Sequence, residues 1–145
     1  MNLDNMTLEN LNKLCSDIRE KIIDVVLKNG GHLASNLGVV ELTVALKKVF
    51  NDKEKNRILF DVGHQAYVYK ILTGREENFS TLRTYKGLGP FLDPKESSED
   101  YFISGHAGSA LSAGCGIAYA EPEVRVIVVV GDASIANGHS LEALN

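Results

Sequence analysis

Cysteine is scarce in this chain. Only Cys15 and Cys115 occur in 145 residues, and the pair supports neither a disulfide framework nor the ligand spacing of a zinc site. Both lie in apolar stretches with helical periodicity and read as small core residues. An excess of basic charge is missing too: 15 Lys and Arg face 19 Asp and Glu, interspersed, for a net charge of −4. No basic stripe is present to neutralise a phosphate backbone, which argues against nucleic acid as a partner. No apolar run approaches the ~20 residues of a membrane span, and Met1 to Asn10 carries no basic-then-apolar leader. A soluble, cytoplasmic protein without membrane contact is the expectation. Internal repeats and low-complexity tracts are absent. The one long loop-like stretch is Tyr85 to Asp100, rich in Gly, Pro, Ser and charge and suited to an active-site loop.

What the chain does contain is enough apolar material, 44% of residues, for the core of one domain over residues 1–145. Leu8, Leu11, Leu14, Ile18, Ile22 and Val25 recur at steps of three and four, with Thr7 placed as an N-cap and Gly30-Gly31 as the stop. The charged residues between them, Asp17, Arg19, Glu20, Lys21 and Asp24, read as a solvated face. A second helix is predicted from near Ser35 to Val49, apolar over an arc wide enough for packing on two sides. Arg57 to Val62 reads as a short buried strand followed by a helix over Gln65 to Leu72. Ser109 to Ala120 is built of small residues, as suits a helix pressed against a sheet. Val124 to Val130 is continuous and β-branched, as expected of a central parallel strand covered on both faces. Helices alternating with parallel strands define an α/β fold with an open, mostly parallel sheet, whose ligand site lies at the carboxyl ends of the strands.

Polar residues gather where such ends fall. Asp132 follows the apolar strand within Gly131-Asp132-Ala133-Ser134, where a carboxylate can meet a hard cation such as Mg²⁺ that also takes phosphate oxygens. His64 follows the other strand within Asp61-Val62-Gly63-His64. The turn Ser104-Gly105-His106-Ala107-Gly108-Ser109 leads into the small-residue helix and offers N–H groups to an anion. His32 sits in a further glycine-led turn, Gly30-Gly31-His32. A lone histidine is more often structural than functional, but three of four following Gly in turns shift that balance. His139 reads as structural or solvent-facing.

These residues also carry a resemblance. Gly30-Gly31-His32-Leu33-Ala34-Ser35-Asn36-Leu37-Gly38 through Leu46, and Asp61-Val62-Gly63-His64-Gln65-Ala66-Tyr67 through Arg75, are similar to two long signatures of the 1-deoxy-D-xylulose-5-phosphate synthases. The likeness continues through Lys86-Gly87-Leu88, Gly105-His106 and Glu142 to Asn145. The resemblance implies the diphosphate-binding domain of a thiamine-diphosphate and Mg²⁺-dependent transferase. Such an enzyme joins pyruvate to D-glyceraldehyde 3-phosphate with loss of CO₂, serves isoprenoid and thiamine synthesis, and works as a homodimer. It implies Asp132 as a Mg²⁺ ligand. Ala133 and Ser134 become cofactor contacts, His64 with Gly105, His106 and Ala107 lines the diphosphate and thiazolium region, and His32 and His64 handle protons or substrate.

The chain departs from the family pattern in places. The family's Gly-Asp-Gly is here Gly131-Asp132-Ala133, where a Cβ would crowd the diphosphate or oppose a positive φ. Its Gly-His-Ser-Ser-Thr-Ser turn is here Gly105-His106-Ala107-Gly108-Ser109-Ala110, with fewer hydroxyls, and Gly87-Leu88-Gly89-Pro90-Phe91 replaces Gly-Leu-Ser-Gly-Phe. The family's second Mg²⁺ ligand is an Asn after the next strand. Asn145 comes too soon for that role, because a parallel crossover needs a dozen or more residues. The catalytic Glu and its domain are also missing, so this stretch is expected to be inactive without further domains. Alternatives from the sequence are the small component of a split transketolase-like enzyme and a non-catalytic binding module.

Overall fold

In the computed structural model, which describes residues 3–145, the chain divides into two compact units. Met1 and Asn2, part of the stretch read as lacking a leader, lie outside the described residues. The first unit comprises residues 1–51 and 65–90, the second residues 52–64 and 91–145.

The first unit is helical. Thr7 caps α1 (Leu8–Asn29) by accepting the Asn10 N–H on Oγ1 at 3.2 Å, and Gly30, at φ +78°, ends it, both as expected. A cap of this kind contributes about 1 kcal/mol. The helix expected from Ser35 to Val49 is instead two: α2 (Ala34–Leu37) and α3 (Val40–Val49), separated where Val39 adopts φ −119°, ψ 15°. Only one side of α3 is buried, through Val40, Thr43, Val44 and Lys47, while Leu42 and Val49 face solvent. The expectation of packing on two sides is thereby corrected. An apolar side chain permits burial without compelling it, since more than half of a folded surface is apolar. α4 (Tyr67–Lys70) starts two residues after the predicted start at Gln65 and runs into a π-helical turn, Ile71–Arg75, in which Thr73 and Gly74 leave helical geometry.

Ile18, Ile22 and Val26 of α1, Val40 and Val44 of α3, and Tyr67, Val68 and Ile71 form one buried cluster with Phe79 and Leu82. Cys15 belongs to it, and burial, followed by the negative charge of Glu41, pushes its thiol up. The charged face of α1 is less bare than expected: Arg19 pairs with Glu41 and Lys21 with Glu76. At the cluster's edge, Asn36 is fully buried; its Nδ2 donates to the His32 carbonyl at 2.6 Å and its Oδ1 accepts the Tyr67 N–H at 2.9 Å. That amide ties the His32 turn to the first residue of α4. Asn36→Leu keeps the volume but strands a buried N–H, which costs about 2 kcal/mol. Exchange of the Tyr67 amide with deuterium should accelerate about thirtyfold, while the amides of mid-α1 hold their wild-type rates.

The second unit carries the sheet. β1 (Asn56–Asp61) and β2 (Arg125–Val130) pair in parallel, with Asn56 opposite Arg125 and Asp61 opposite Val130. α5 (Ser109–Ala120) has the bounds the sequence predicts and packs on both strands. Its small residues are needed there: a Cβ on Gly114 would lie 2.8 Å from Val128 Cγ2 and 3.4 Å from Val126 Cγ1. After β2 come α6 (Asp132–Ile135) and α7 (Gly138–Leu144), the latter capped by Asn137, whose Oδ1 accepts the His139 N–H at 3.0 Å. The Arg57 guanidinium pairs with Glu121 and lies 5.1 Å from the Tyr101 ring centroid, which fastens the start of β1.

The α/β class, with an open parallel sheet flanked by helices, is the one the sequence predicts, although the sheet has two strands among the described residues. β2 is half-buried, with Arg125 exposed, and not the fully covered strand expected. Cys115 is exposed, which corrects its reading as a core residue. Residues 85–100 form turns and bends without helix or strand. Among the described residues, no helix is long and apolar enough to cross a membrane.

Candidate functional site

The parallel register sets Asp61 beside Val130, and the Gly131 N–H donates to the Asp61 carbonyl at 3.3 Å. The chain therefore leaves β1 through Val62-Gly63-His64 and β2 through Gly131-Asp132-Ala133 side by side, at one carboxyl edge. The 104–110 turn is bound to this edge by Asp61. Its carboxylate is buried and accepts the Gly108 N–H at 3.0 Å and the Ala110 N–H at 2.9 Å. Those two donors are thus taken by the protein itself, which corrects the expectation that they stand open to an anion.

Two glycines complete the interlock, both at positive φ. Gly63, at φ +99°, lies against Ser104, whose Oγ would be 1.9 Å from an added Cβ. Gly108, at φ +90°, lies against Asn137, whose Oδ1 would be 2.7 Å away. The segments after β1, before α5 and after α6 are therefore seated on one another with no room for a side chain at either contact. Among the described residues, Ser104 Oγ is buried without a hydrogen-bond partner.

The predicted site residues distribute as follows. His64 is half-buried just past β1, while His106 and Ala107 are exposed in the turn, with Gly105 at φ +142° beside the Phe91 ring. Ser109 Oγ donates to the His106 carbonyl at 3.0 Å, which keeps one hydroxyl in the turn. Asp132 is exposed as the first residue of α6 and accepts the Ala133 N–H on Oδ1 at 2.9 Å. Ala133 is helical and exposed, and it is not among the residues at positive φ. Its Cβ therefore meets no backbone objection, and the positive-φ part of the conflict expected from the missing glycine does not arise. Ser134 is buried, and its carbonyl accepts the Ser140 hydroxyl at 2.7 Å. His139 is exposed, as expected.

His32 belongs to the first unit. It is exposed, on a turn held from beneath by Asn36 and by the Tyr67 hydroxyl, which accepts the His32 N–H at 3.4 Å. A Cβ on Gly31 would lie 2.9 Å from that hydroxyl. No cluster of three or more His, Cys, Asp or Glu able to hold a metal occurs among the described residues. Asp132 could contribute one carboxylate to a Mg²⁺ whose other ligands are phosphate oxygens and water, the mode in which Mg²⁺ usually binds.

The roles of Asp61, Ser104, Asn137, Asn36 and Tyr67 were missed by sequence reasoning. One signal was available for Asp61: the N-cap position of α5 is Gly108, which has no side chain to cap the helix, so an acceptor had to come from elsewhere.

The fold and the strand-end arrangement define a parallel α/β protein of the kind that receives its ligand at the carboxyl edge of the sheet. The chain belongs to the 1-deoxy-D-xylulose-5-phosphate synthase family, whose model matches residues 1–145. Its relatives include the 1-deoxy-D-xylulose-5-phosphate synthase of Fusobacterium nucleatum, 67% identical over 137 residues that make up 94% of this chain and 23% of the relative. The synthase of Dictyoglomus turgidum is 51% identical and that of Clostridium acetobutylicum 50% identical, each across 99% of this chain and 24% of the relative. The chain thus spans about a quarter of the length of the curated relatives it matches.

Proposed function

We propose that this chain is the amino-terminal, diphosphate-holding quarter of a 1-deoxy-D-xylulose-5-phosphate synthase, which joins pyruvate to D-glyceraldehyde 3-phosphate and releases CO₂. The observation that carries the reading is the pairing of the two strand ends, which sets the Asp132 and His64 segments side by side at the ligand-receiving edge of the sheet. Thiamine diphosphate, when bound, would supply the electron sink for the carbon chemistry. The residues of this chain bind and orient. Asp132 would hold Mg²⁺ through the carboxylate oxygen that Ala133 leaves unused. Ala133 and Ser134 would contact the diphosphate, as would Gly105, His106 and Ala107 from the turn. His32 and His64 would move protons or touch substrate, since an imidazole changes charge near neutral pH.

The helical backbone at Ala133 supports this reading over that of a degenerate binding module, which the sequence drew from Ala133 and Ala107 together, because the first of these replacements imposes no backbone strain. The synthase would act in the cytoplasm as a homodimer, with the remaining catalytic groups on its other domains. Calorimetric titration of the full-length synthase tests the reading. Thiamine diphosphate should bind with Mg²⁺ present and fail to bind when the metal is chelated, and the loaded protein should consume pyruvate and glyceraldehyde 3-phosphate together. Absence of binding with the metal present would refute it.

A further inference from the structure

We infer that Asp61 is a positioning residue of the diphosphate site, an inference that rests on the function proposed above. Three observations converge on its carboxylate. It is buried at the last position of β1, it accepts the N–H groups of Gly108 and Ala110, and the helix that starts there has no side-chain cap of its own. The amino end of a helix carries unsatisfied donors and partial positive charge, and a phosphate competes well for such a place. Asp61 fills it with a carboxylate that is part of the fold.

Two consequences follow. The Gly108 and Ala110 N–H groups at the head of α5 are taken, so the diphosphate is left to the Asp132 segment and to the Gly105-His106-Ala107 turn. The turn carrying Gly105, His106 and Ala107 is meanwhile fixed relative to His64, because Asp61 lies three residues before that histidine and its side chain grips the turn's far end. Gly63 against Ser104 and Gly108 against Asn137 leave the turn no alternative seat. The carboxylate therefore acts on the cofactor through the turn whose far end it holds.

Asp61→Asn in the full-length synthase is the test. The amide keeps the shape and one acceptor oxygen, but its NH₂ faces a backbone donor and the charge is lost. Charge-assisted hydrogen bonds are about twice as strong as neutral ones. The dissociation constant for thiamine diphosphate at saturating Mg²⁺ should rise about tenfold or more, and deuterium exchange at the Gly108 and Ala110 amides should accelerate even without cofactor. In Asp61→Ala, formate should slow that exchange again and restore the affinity by occupying the vacated carboxylate position. Should Asp61→Asn fail to fold, the formate experiment decides alone. Accelerated exchange with an unaltered dissociation constant would reduce Asp61 to a helix cap and overturn the inference, as would formate that restores neither exchange nor affinity. A wild-type synthase that does not bind thiamine diphosphate at all would instead overturn the proposed function and this inference together.

Discussion

Asp132→Ala in the full-length synthase is expected to abolish Mg²⁺-dependent binding of thiamine diphosphate, weakening it at least about a hundredfold, roughly 3 kcal/mol. The size follows from what the carboxylate would do. A hard dication shared with a diphosphate has few protein ligands, and removing a charged one leaves the metal to water and phosphate alone. The fold should not suffer comparably. Asp132 is exposed and accepts the neighbouring Ala133 N–H. Loss of one exposed hydrogen bond of this kind costs at most about 1 kcal/mol. Calorimetry and thermal melting on one preparation separate the two effects. Asp132→Asn, which keeps an oxygen but not the charge, should fall between wild type and Asp132→Ala. If Asp132→Ala binds the cofactor as wild type does, the metal assignment is wrong.

Gly63→Ala should be the most damaging single methyl at the strand ends. The new carbon would stand 1.9 Å from Ser104 Oγ and 2.9 Å from Ser104 Cβ, at a φ of +99° that L side chains rarely adopt. Overpacking costs about 1–3 kcal/mol, and the backbone conformation adds about 1–2 kcal/mol for any residue with a Cβ. A total near 3–4 kcal/mol should appear as a lowered urea midpoint. Ser104→Gly removes both clashing atoms, and Ser104 Oγ has no hydrogen-bond partner to lose. The double variant Gly63→Ala with Ser104→Gly should therefore recover about half of the loss, a coupling of 1 kcal/mol or more in a double-mutant cycle. Additivity of the two changes would mean that the contact is not what fixes Gly63.

Features governed by neighbours in sequence were legible without coordinates. Thr7 and Gly30 bound α1, the small residues from Ser109 to Ala120 make a helix that presses on the sheet, and the β-branched run before Gly131 is a parallel strand. The break at Val39 was not visible, because apolar periodicity continues across it and only tertiary packing decides whether the helix does. Val124 to Val130 was read as doubly covered because composition reports what a strand can bury, while coverage depends on what lies against it. Cys115 was misread for the same reason.

At the candidate site, the residues emerging at the strand ends were legible from strand-then-glycine patterns, and Asp132, His64 and the Gly105-His106 turn were all named from them. Their supports were not. Asp61 reaches Gly108 across 47 residues and Asn36 reaches Tyr67 across 31, separations at which no local pattern says who meets whom. A buried acceptor and a capless helix start are each visible in sequence, but their pairing is a property of the assembled sheet.

That long reach bears on the order of events as the polypeptide acquires its shape. Nothing nearby in sequence can hold the 104–110 segment until β1 has formed and α5 has come to rest on it, and contacts of such separation carry a loop-closure cost before they return any benefit. The rim of the sheet should thus be among the last features to become ordered and among the first to loosen on warming. Losing the capacity to hold an anionic ligand there would then precede the melting of α1 and its partners.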